Sequence, residues 1–241
     1  MDLGIGGRRA AVAAATTGLG LATAQALARE GVDVAICGRT QERVTAAAAT
    51  IGDRCVPIVA DVSSVEGAAG FVDAASAALG GVDILVPNAG GPPPGTFEST
   101  PVEAYPEAID LNLMSVVAMC KAAVPAMRER SWGRVVAITS VSVRQPIGAL
   151  ILSNTARAGA TAFLKTLALE VADDGVTVNS VQPGLHVTGR TEALYGDGLE
   201  SMRTGSADDF GAIVAFLCSE FASFTTGAQL HVDGGSYLGL Q

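Results

Sequence analysis

The chain has 241 residues, of which 49% are apolar and only 16% are charged. This length can bury a substantial core without a disulfide or metal, and the composition excludes disorder and coiled coil. With 24 acidic and 15 basic residues the net charge is −9, so no nucleic-acid or membrane partner is expected, and no stretch approaches the ~18 apolar residues of a membrane span.

Short β-branched runs alternate with longer runs rich in alanine and leucine. Seven strands are predicted, at Arg9–Ala14, Val32–Cys37, Val56–Ala60, Val82–Val86, Arg134–Thr139, Val176–Val181 and Gln229–Val232. Helices are predicted at Leu19–Arg29, Gln41–Ile51, Val65–Leu79, Pro101–Arg130 (as two helices), Ser153–Ala172 and Ala207–Cys218. The alternation predicts an α/β fold: a single doubly wound domain over residues 1–241, with a parallel sheet of about seven strands and helices on both faces.

Two irregular segments interrupt this alternation. Gly90–Gly95 contains three consecutive prolines, which favour a stiff turn. Gly184–Ser206 contains five glycines and no helical periodicity. Because ligands bind at the carboxyl ends of parallel strands, we predict that residues 184–206 form a lid or substrate loop there.

Four cysteines lie far apart in the sequence, at Cys37, Cys55, Cys120 and Cys218. They are predicted to be buried thiols in a reducing compartment, which favours a cytoplasmic location. Arg8-Arg9 imitates a twin-arginine export signal, but the apolar run that follows is short, so a first strand is predicted instead. No metal-ligand cluster is predicted.

A glycine-rich turn, Ala14-Ala15-Thr16-Thr17-Gly18-Leu19-Gly20, follows the first predicted strand and opens the first predicted helix. Such a turn brings backbone N–H groups close to a pyrophosphate, although a purely structural turn has the same sequence pattern. The second strand is followed by Arg39, with no carboxylate before Glu42. Because an arginine there suits a ribose 2′-phosphate, NADP(H) is predicted in preference to NAD(H).

Further motifs follow in order: Asp61-Val62, Asn88-Ala89-Gly90, Asn112, Ser140, Pro183-Gly184 with Thr188, and Val232-Asp233-Gly234-Gly235. With the glycine turn, they make the whole chain resemble the short-chain dehydrogenase/reductase family. Three segments resemble a divergent subset of that family, the bacterial 3-oxoacyl-[acyl-carrier-protein] reductases: Gly90–Gly95, Val143-Arg144-Gln145-Pro146, and Leu152-Ser153-Asn154 with Arg157. The resemblance implies that Asp61 contacts the adenine, Asn88 the adenosine ribose region, and Pro183 to Thr188 the nicotinamide carboxamide. It also implies a homo-oligomer, a tetramer or a dimer. Ala14 stands where the family usually has its first glycine.

The catalytic pattern implied by this resemblance is altered. The family places a tyrosine thirteen residues after its serine and a lysine four residues later, but from Ser140 these positions hold Ser153 and Arg157. A serine hydroxyl is a much weaker acid than a phenol. Lys165 lies about 12 Å further along the helix than Arg157, too far to substitute. We expect Asn112, Ser140, Ser153 and Arg157 to form the catalytic group, with Arg157 holding ribose hydroxyls or a substrate carboxylate.

Other residues are weaker candidates for the missing proton donor. Tyr195 lies in the predicted lid, and His186 lies in the stretch that passes the nicotinamide in the family. His186 is interpreted in the first place as an exposed histidine of the lid. His231 is interpreted as a structural residue.

Three functions are weighed. The first is an NADP(H)-dependent oxidoreductase acting on a small-molecule carbonyl or alcohol. The second is a cofactor-binding scaffold without redox turnover, either regulatory or catalysing isomerisation, cyclisation or dehydration. The third, a cofactor-free interaction module, requires the glycine turn and Arg39 to be coincidental.

Overall fold

The computed structural model describes residues 2–240, which form one seven-stranded, wholly parallel sheet in the order β3-β2-β1-β4-β5-β6-β7. The strands are β1 Arg9–Val12, β2 Asp33–Gly38, β3 Cys55–Val59, β4 Ile84–Val86, β5 Gly133–Ile138, β6 Val176–Pro183 and β7 Gln229–Val232. All seven predicted strands are confirmed, with ends shifted by up to two residues.

Eight helices flank the sheet within the described residues. They are α1 Gly18–Arg29, α2 Gln41–Ile51, α3 Val65–Leu79, α4 Tyr105–Ile109, α5 Ser115–Glu129, α6 Ile151–Val171, α7 Gly189–Tyr195 and α8 Ala207–Leu217. The bounds predicted for α2 and α3 are confirmed to the residue. The two helices predicted in Pro101–Arg130 are confirmed as α4 and α5, and a π-helical turn, Asp110–Met114, joins them into one continuous helical stretch.

Two apolar layers make up the core, one on each face of the sheet. Alternate strand residues point to opposite faces, so Ala11 of β1 packs with α3, α5 and α6, whereas Val12 packs with α1, α2 and α8. Phe71 of α3 and Phe210 of α8 are the largest fully buried side chains. Burial on both faces explains the low charged fraction of the sequence.

One segment contradicts the expectation about membrane-length helices. The helical stretch Val102–Glu129 is long and apolar enough, by length and composition, to cross a membrane. Half of its most apolar window is buried within the fold, including Met119 and Met127 against α3 and the sheet. A core helix of a doubly wound domain has this character.

The predicted lid segment is more regular than its sequence suggests. Gly184–Ser206 contains α7 and a 3₁₀ turn, Gly196–Ser201, where no helix was predicted. The prediction for the cysteines also needs one correction: Cys37, Cys120 and Cys218 are buried, but Cys55 is only half-buried.

The sheet order reverses beside β1, because β2 and β3 lie on one side of it and β4 to β7 on the other. In such sheets the helices leave on opposite faces at the reversal, and a crevice opens at the carboxyl ends of the strands. The residues after β1, β4, β5 and β6 meet at this edge.

Candidate active site

The edge carries a cavity of about 480 Å³. Sixteen of the predicted site residues line it: Ala14, Thr17, Gly18, Leu19, Gly20, Asn88, Ala89, Gly90, Ser140, Ser153, Arg157, Pro183, Gly184, His186, Thr188 and Tyr195. The cavity runs from the glycine turn after β1, past the end of β5, to helix α7. It therefore brings together both halves of the predicted site.

The glycine turn is held in place by the Asn88 side chain and by close backbone packing. Asn88, after β4, donates its side-chain amide to the Ala13 and Ala14 carbonyls at 3.1 and 3.3 Å. A Cβ at Gly20 would lie only 2.8 Å from the Ala14 oxygen. Ala14 itself has φ of +47°, a left-handed conformation in which an L side chain costs about 1–2 kcal/mol. The turn thus bends as if Ala14 were a glycine.

The amino end of α1, whose first N–H groups have no partner within the helix, lines the cavity. Thr17 is the N-cap, but its side chain makes no capping hydrogen bond. Gly18 has φ of +59°, and a Cβ there would lie 3.4 Å from Thr188. A helix start with free donors, approached closely by backbone, fits a dinucleotide pyrophosphate. The residues present therefore fit NAD(P).

Two serines of the predicted catalytic group, Ser140 and Ser153, line the cavity. Ser140, just after β5, accepts a hydrogen bond from the Ser142 N–H at 3.1 Å, which leaves its own O–H free to donate. Ser153, in the first turn of α6, is only 6% exposed, and its hydroxyl has no hydrogen-bond partner within residues 2–240. Each hydroxyl is therefore able to donate to a ligand in the cavity.

Arg157 lies one helical turn after Ser153 and fastens α6 to the sheet edge. Its guanidinium donates to the carbonyls of Ile138 and Thr139, both at 3.1 Å, and to Ala89 at 3.3 Å. Burial, and secondarily the nearby Arg190, lowers the pKa of Arg157 to about 10. Arg157 is therefore still cationic at neutral pH.

Helix α7 closes one side of the cavity. Thr188 caps it, accepting from the Thr191 N–H while the Thr191 hydroxyl accepts from the Thr188 N–H. Arg190 reaches across to the proline-rich loop and donates to the carbonyls of Gly91 and Pro92 at 3.2 and 3.0 Å. Tyr195 ends the helix and lines the cavity. These contacts hold the segment 184–206 against the loop after β4.

The expectation that His186 is an exposed lid residue was wrong. His186 is 4% exposed, packs edge-on against Phe210 with ring centroids 5.2 Å apart, and forms a β-bridge with Gly205. Burial lowers its pKa, which favours the neutral imidazole.

Five predicted residues do not line the cavity: Thr16, Arg39, Asp61, Val62 and Asn112. Arg39 is exposed beyond β2, and the Asp61 carboxylate accepts from the Ser63 N–H at 3.0 Å. Asn112 lies in the π-helical turn and donates to the Gly90 carbonyl at 2.9 Å. It therefore stabilises the loop after β4 without lining the cavity. Within residues 2–240 no three His, Cys, Asp or Glu side chains cluster as metal ligands would.

Known proteins are similar to this chain in sequence and in fold. The family model described as enoyl-(acyl carrier protein) reductase matches residues 13–237. The chain belongs to the short-chain dehydrogenase/reductase family. The 3-oxoacyl-[acyl-carrier-protein] reductase FabG of Escherichia coli (strain K12) is 34% identical over 239 residues, covering 96% of this chain and 98% of that protein.

Solved structures of other short-chain dehydrogenase/reductases superimpose over almost the whole chain. L-sorbose reductase from Gluconobacter frateurii, complexed with NADPH and L-sorbose, has a TM-score of 0.92 at 30% identity and covers 100% of both chains. An NADPH-bound short-chain oxidoreductase from Pseudomonas aeruginosa PAO1, described as containing an atypical catalytic center, has a TM-score of 0.88 at 30% identity, with 96% of this chain and 97% of that chain covered. The chain is thus an NAD(P)-dependent oxidoreductase by family.

Sequence reasoning missed one charged residue of this short-chain dehydrogenase/reductase site. Arg190 lines the cavity and touches a loop about a hundred residues earlier. The Thr188–Thr191 pair, typical of a helix start, was the one local sign that Arg190 has a fixed position. Lys165 and His231 are placed elsewhere: Lys165 donates to the Gly227 carbonyl, and His231 stacks on Tyr237 at 4.6 Å.

Proposed function

We propose that this short-chain dehydrogenase/reductase is an NADP(H)-dependent oxidoreductase of a small-molecule carbonyl or alcohol, in which Ser153 and Arg157 stand where the family has tyrosine and lysine. The observation that carries the proposal is one cavity that joins the uncapped start of α1 to Ser140, Ser153 and Arg157. When bound, NADPH supplies the hydride. The chain's own residues bind and polarise the carbonyl oxygen.

Ser140 and Ser153 polarise that oxygen by donating hydrogen bonds to it. Both O–H groups are free to do so, since neither is donated within the described fold. Removing one strong donor from an oxyanion site costs about 3–4 kcal/mol elsewhere. Two weak donors in place of a phenol therefore predict a slow reductase. Arg157, still protonated at neutral pH, supplies positive charge and does not exchange a proton.

Preference for the phosphorylated cofactor rests on Arg39, which is exposed after β2 where no carboxylate stands. The NADPH complexes of the sorbose reductase and the Pseudomonas aeruginosa oxidoreductase support it. Calorimetric titration of nucleotide-free protein should show NADH binding at least tenfold weaker than NADPH, a gap of about 1.4 kcal/mol. Arg39→Ala should close that gap. Equal affinities in the wild type would remove this role from Arg39.

Turnover is tested with NADPH carrying deuterium at the transferred position and a panel of ketones and aldehydes that the protein binds. The expected product carries the deuterium, and Ser153→Ala or Ser140→Ala should lower kcat/KM about a hundredfold. Ser142→Ala is the matched control, because the buried Ser142 hydroxyl has no partner and does not line the cavity. No transfer to any bound carbonyl, or turnover unaffected by Ser140→Ala, would refute the proposal.

The second candidate is a cofactor-binding scaffold without redox turnover. It is favoured by the hydroxyls at Ser140 and Ser153, which are poor acids, and by the neutral state favoured for His186. The double variant Ser153→Tyr with Arg157→Lys separates the two candidates. An inert wild type beside a double variant that reduces model ketones would favour the scaffold; deuterium transfer by the wild type would eliminate it.

We further propose a cytoplasmic homo-oligomer, a tetramer or a dimer. Leu230 on the edge strand β7 is 39% exposed and Leu238 beyond it 86%, which supports an interface along this edge. The thiols at Cys37, Cys120 and Cys218 are buried and unpaired, which supports a reducing compartment. Sedimentation should give a species heavier than one chain; a stable monomer at micromolar concentration would contradict the oligomer.

A further inference from the structure

Two guanidinium groups lie along the loop that follows β4. Arg157 donates to the Ala89 carbonyl, and Arg190 donates to the carbonyls of Gly91 and Pro92. The Ala89 and Gly91 positions are two residues apart, a span of at most about 7 Å. The two cations therefore approach each other across a short length of backbone, one from α6 and the other from α7.

No negative side chain neutralises this pair within the described residues. Neither arginine forms a salt bridge, and the cavity lining includes no aspartate or glutamate. Burial lowers the pKa of both groups, and their mutual repulsion contributes for Arg157. Two partly desolvated cations without a counter-ion favour binding of an anion.

Both side chains retain donors for such an anion. A guanidinium has five N–H groups. Arg157 uses three of them in hydrogen bonds, and Arg190 uses two. The remaining N–H groups suit a planar carboxylate, which accepts from two donors at once.

The backbone carbonyls that the two arginines contact lie outside the site that fits the cofactor's pyrophosphate. That site is the start of α1, where Gly18 lies against Thr188. Arg190 lies beyond Thr188 and contacts Gly91 and Pro92. Apolar side chains complete the lining: Ile147, Leu150 and Leu194.

We propose that Arg190, together with Arg157, binds the carboxylate of the substrate, so that the substrate is an oxo acid, or the matching hydroxy acid, with a short apolar body. This assignment rests on the proposed oxidoreductase function and narrows its substrate class. Arg190 acts as a specificity-determining residue. Ser140 and Ser153 remain the groups that receive the carbonyl oxygen.

The test measures binding without turnover. Protein saturated with NADP⁺ is titrated calorimetrically with 4-methyl-2-oxopentanoate and, separately, with its neutral methyl ester. The acid should bind at least tenfold more tightly than the ester. Arg190→Gln should weaken the acid at least tenfold and leave the ester within threefold, and Arg190→Lys should recover part of the loss because it keeps the charge but not the planar fork. Arg128→Gln, which removes an exposed charge paired with Asp174, is the matched control and should change neither affinity.

Two results would overturn the assignment. The first is an ester that binds the wild type as tightly as the acid, or an acid that does not bind. The second is an Arg190→Gln variant that loses NADPH and acid affinity by the same factor, since the anion would then be a cofactor phosphate. A failure of the proposed function reads differently: no deuterium would pass from NADPH to any carbonyl that the protein binds, a result that does not depend on the acid and ester titrations.

Discussion

Helix α8 approaches α1 closely at Gly211. A methyl group added at this position should therefore lower the free energy of unfolding. A Cβ at Gly211 would lie 2.5 Å from the Ala22 oxygen and 2.7 Å from its carbonyl carbon. Both are backbone atoms of a helix interior, so the two helices must move apart. Overpacking of this kind costs about 1–3 kcal/mol, offset by up to about 1 kcal/mol of helix propensity. Gly211→Ala should therefore lose about 1–2 kcal/mol of unfolding free energy.

Gly70 on α3 provides the matched control, because a Cβ there meets nothing within 4 Å. Gly70→Ala should gain about 0.5–1 kcal/mol from helix propensity alone. For a chain of this length the two variants should differ in Tm by roughly 3–12 °C. Thermal unfolding followed by circular dichroism measures this difference, and an NADPH titration should show weaker binding only for Gly211→Ala, since α1 begins at the glycine turn. A Gly211→Ala protein as stable as Gly70→Ala would refute the reasoning.

Three further predictions concern the site. Ala14→Gly relieves the left-handed strain at φ +47° and should leave the protein as stable or up to about 1 kcal/mol more stable in urea unfolding; a loss above 1 kcal/mol would contradict this. Because burial lowers the pKa of His186 below its usual 6.5, the unfolded chain takes up the proton first, so stability is complete above pH 6.5 and falls on acidification below it. His186→Asn, which keeps a donor for the Gly184 carbonyl, should flatten that slope by up to about 1.4 kcal/mol per pH unit; unchanged slopes would exclude His186 as the titrating group. Arg157→Ala removes the donor of three backbone carbonyls and should cost about 1.5–3 kcal/mol in the same assay, with wild-type stability counting against its role as a fastener.

Elements with a regular pattern could be predicted from the sequence. Helix α3 has Ser64 as its N-cap, whose hydroxyl accepts from the Gly67 N–H, and Gly80 in a left-handed C-cap; both signals are local. The alternating strand pattern and the glycine turn can likewise be recognised from a few neighbouring residues. For this reason most cavity-lining residues near β1, β4 and β6 could be named before any coordinates.

Features that depend on distant contacts could not be predicted. Helix α7 has only seven residues, Gly189–Tyr195, and is too short for a periodic signal. The burial of His186 depends on Phe210, and the position of Arg190 depends on Gly91 and Pro92. For His186 and Arg190 the contacting residue lies far away in the sequence, so no local sequence pattern predicts the contact.

The buried thiols provide a built-in chemical measure of local opening of the fold. Burial raises the pKa of Cys37, Cys120 and Cys218 to about 12, so at neutral pH each is held as the unreactive thiol. An alkylating reagent therefore reacts only when the surrounding structure opens. Cys120 lies in the layer of α3, α5 and α6, whereas Cys218 lies in the layer of α1, α2 and α8. The alkylation rates of Cys120 and Cys218 thus report separately how often each of the two helical layers opens.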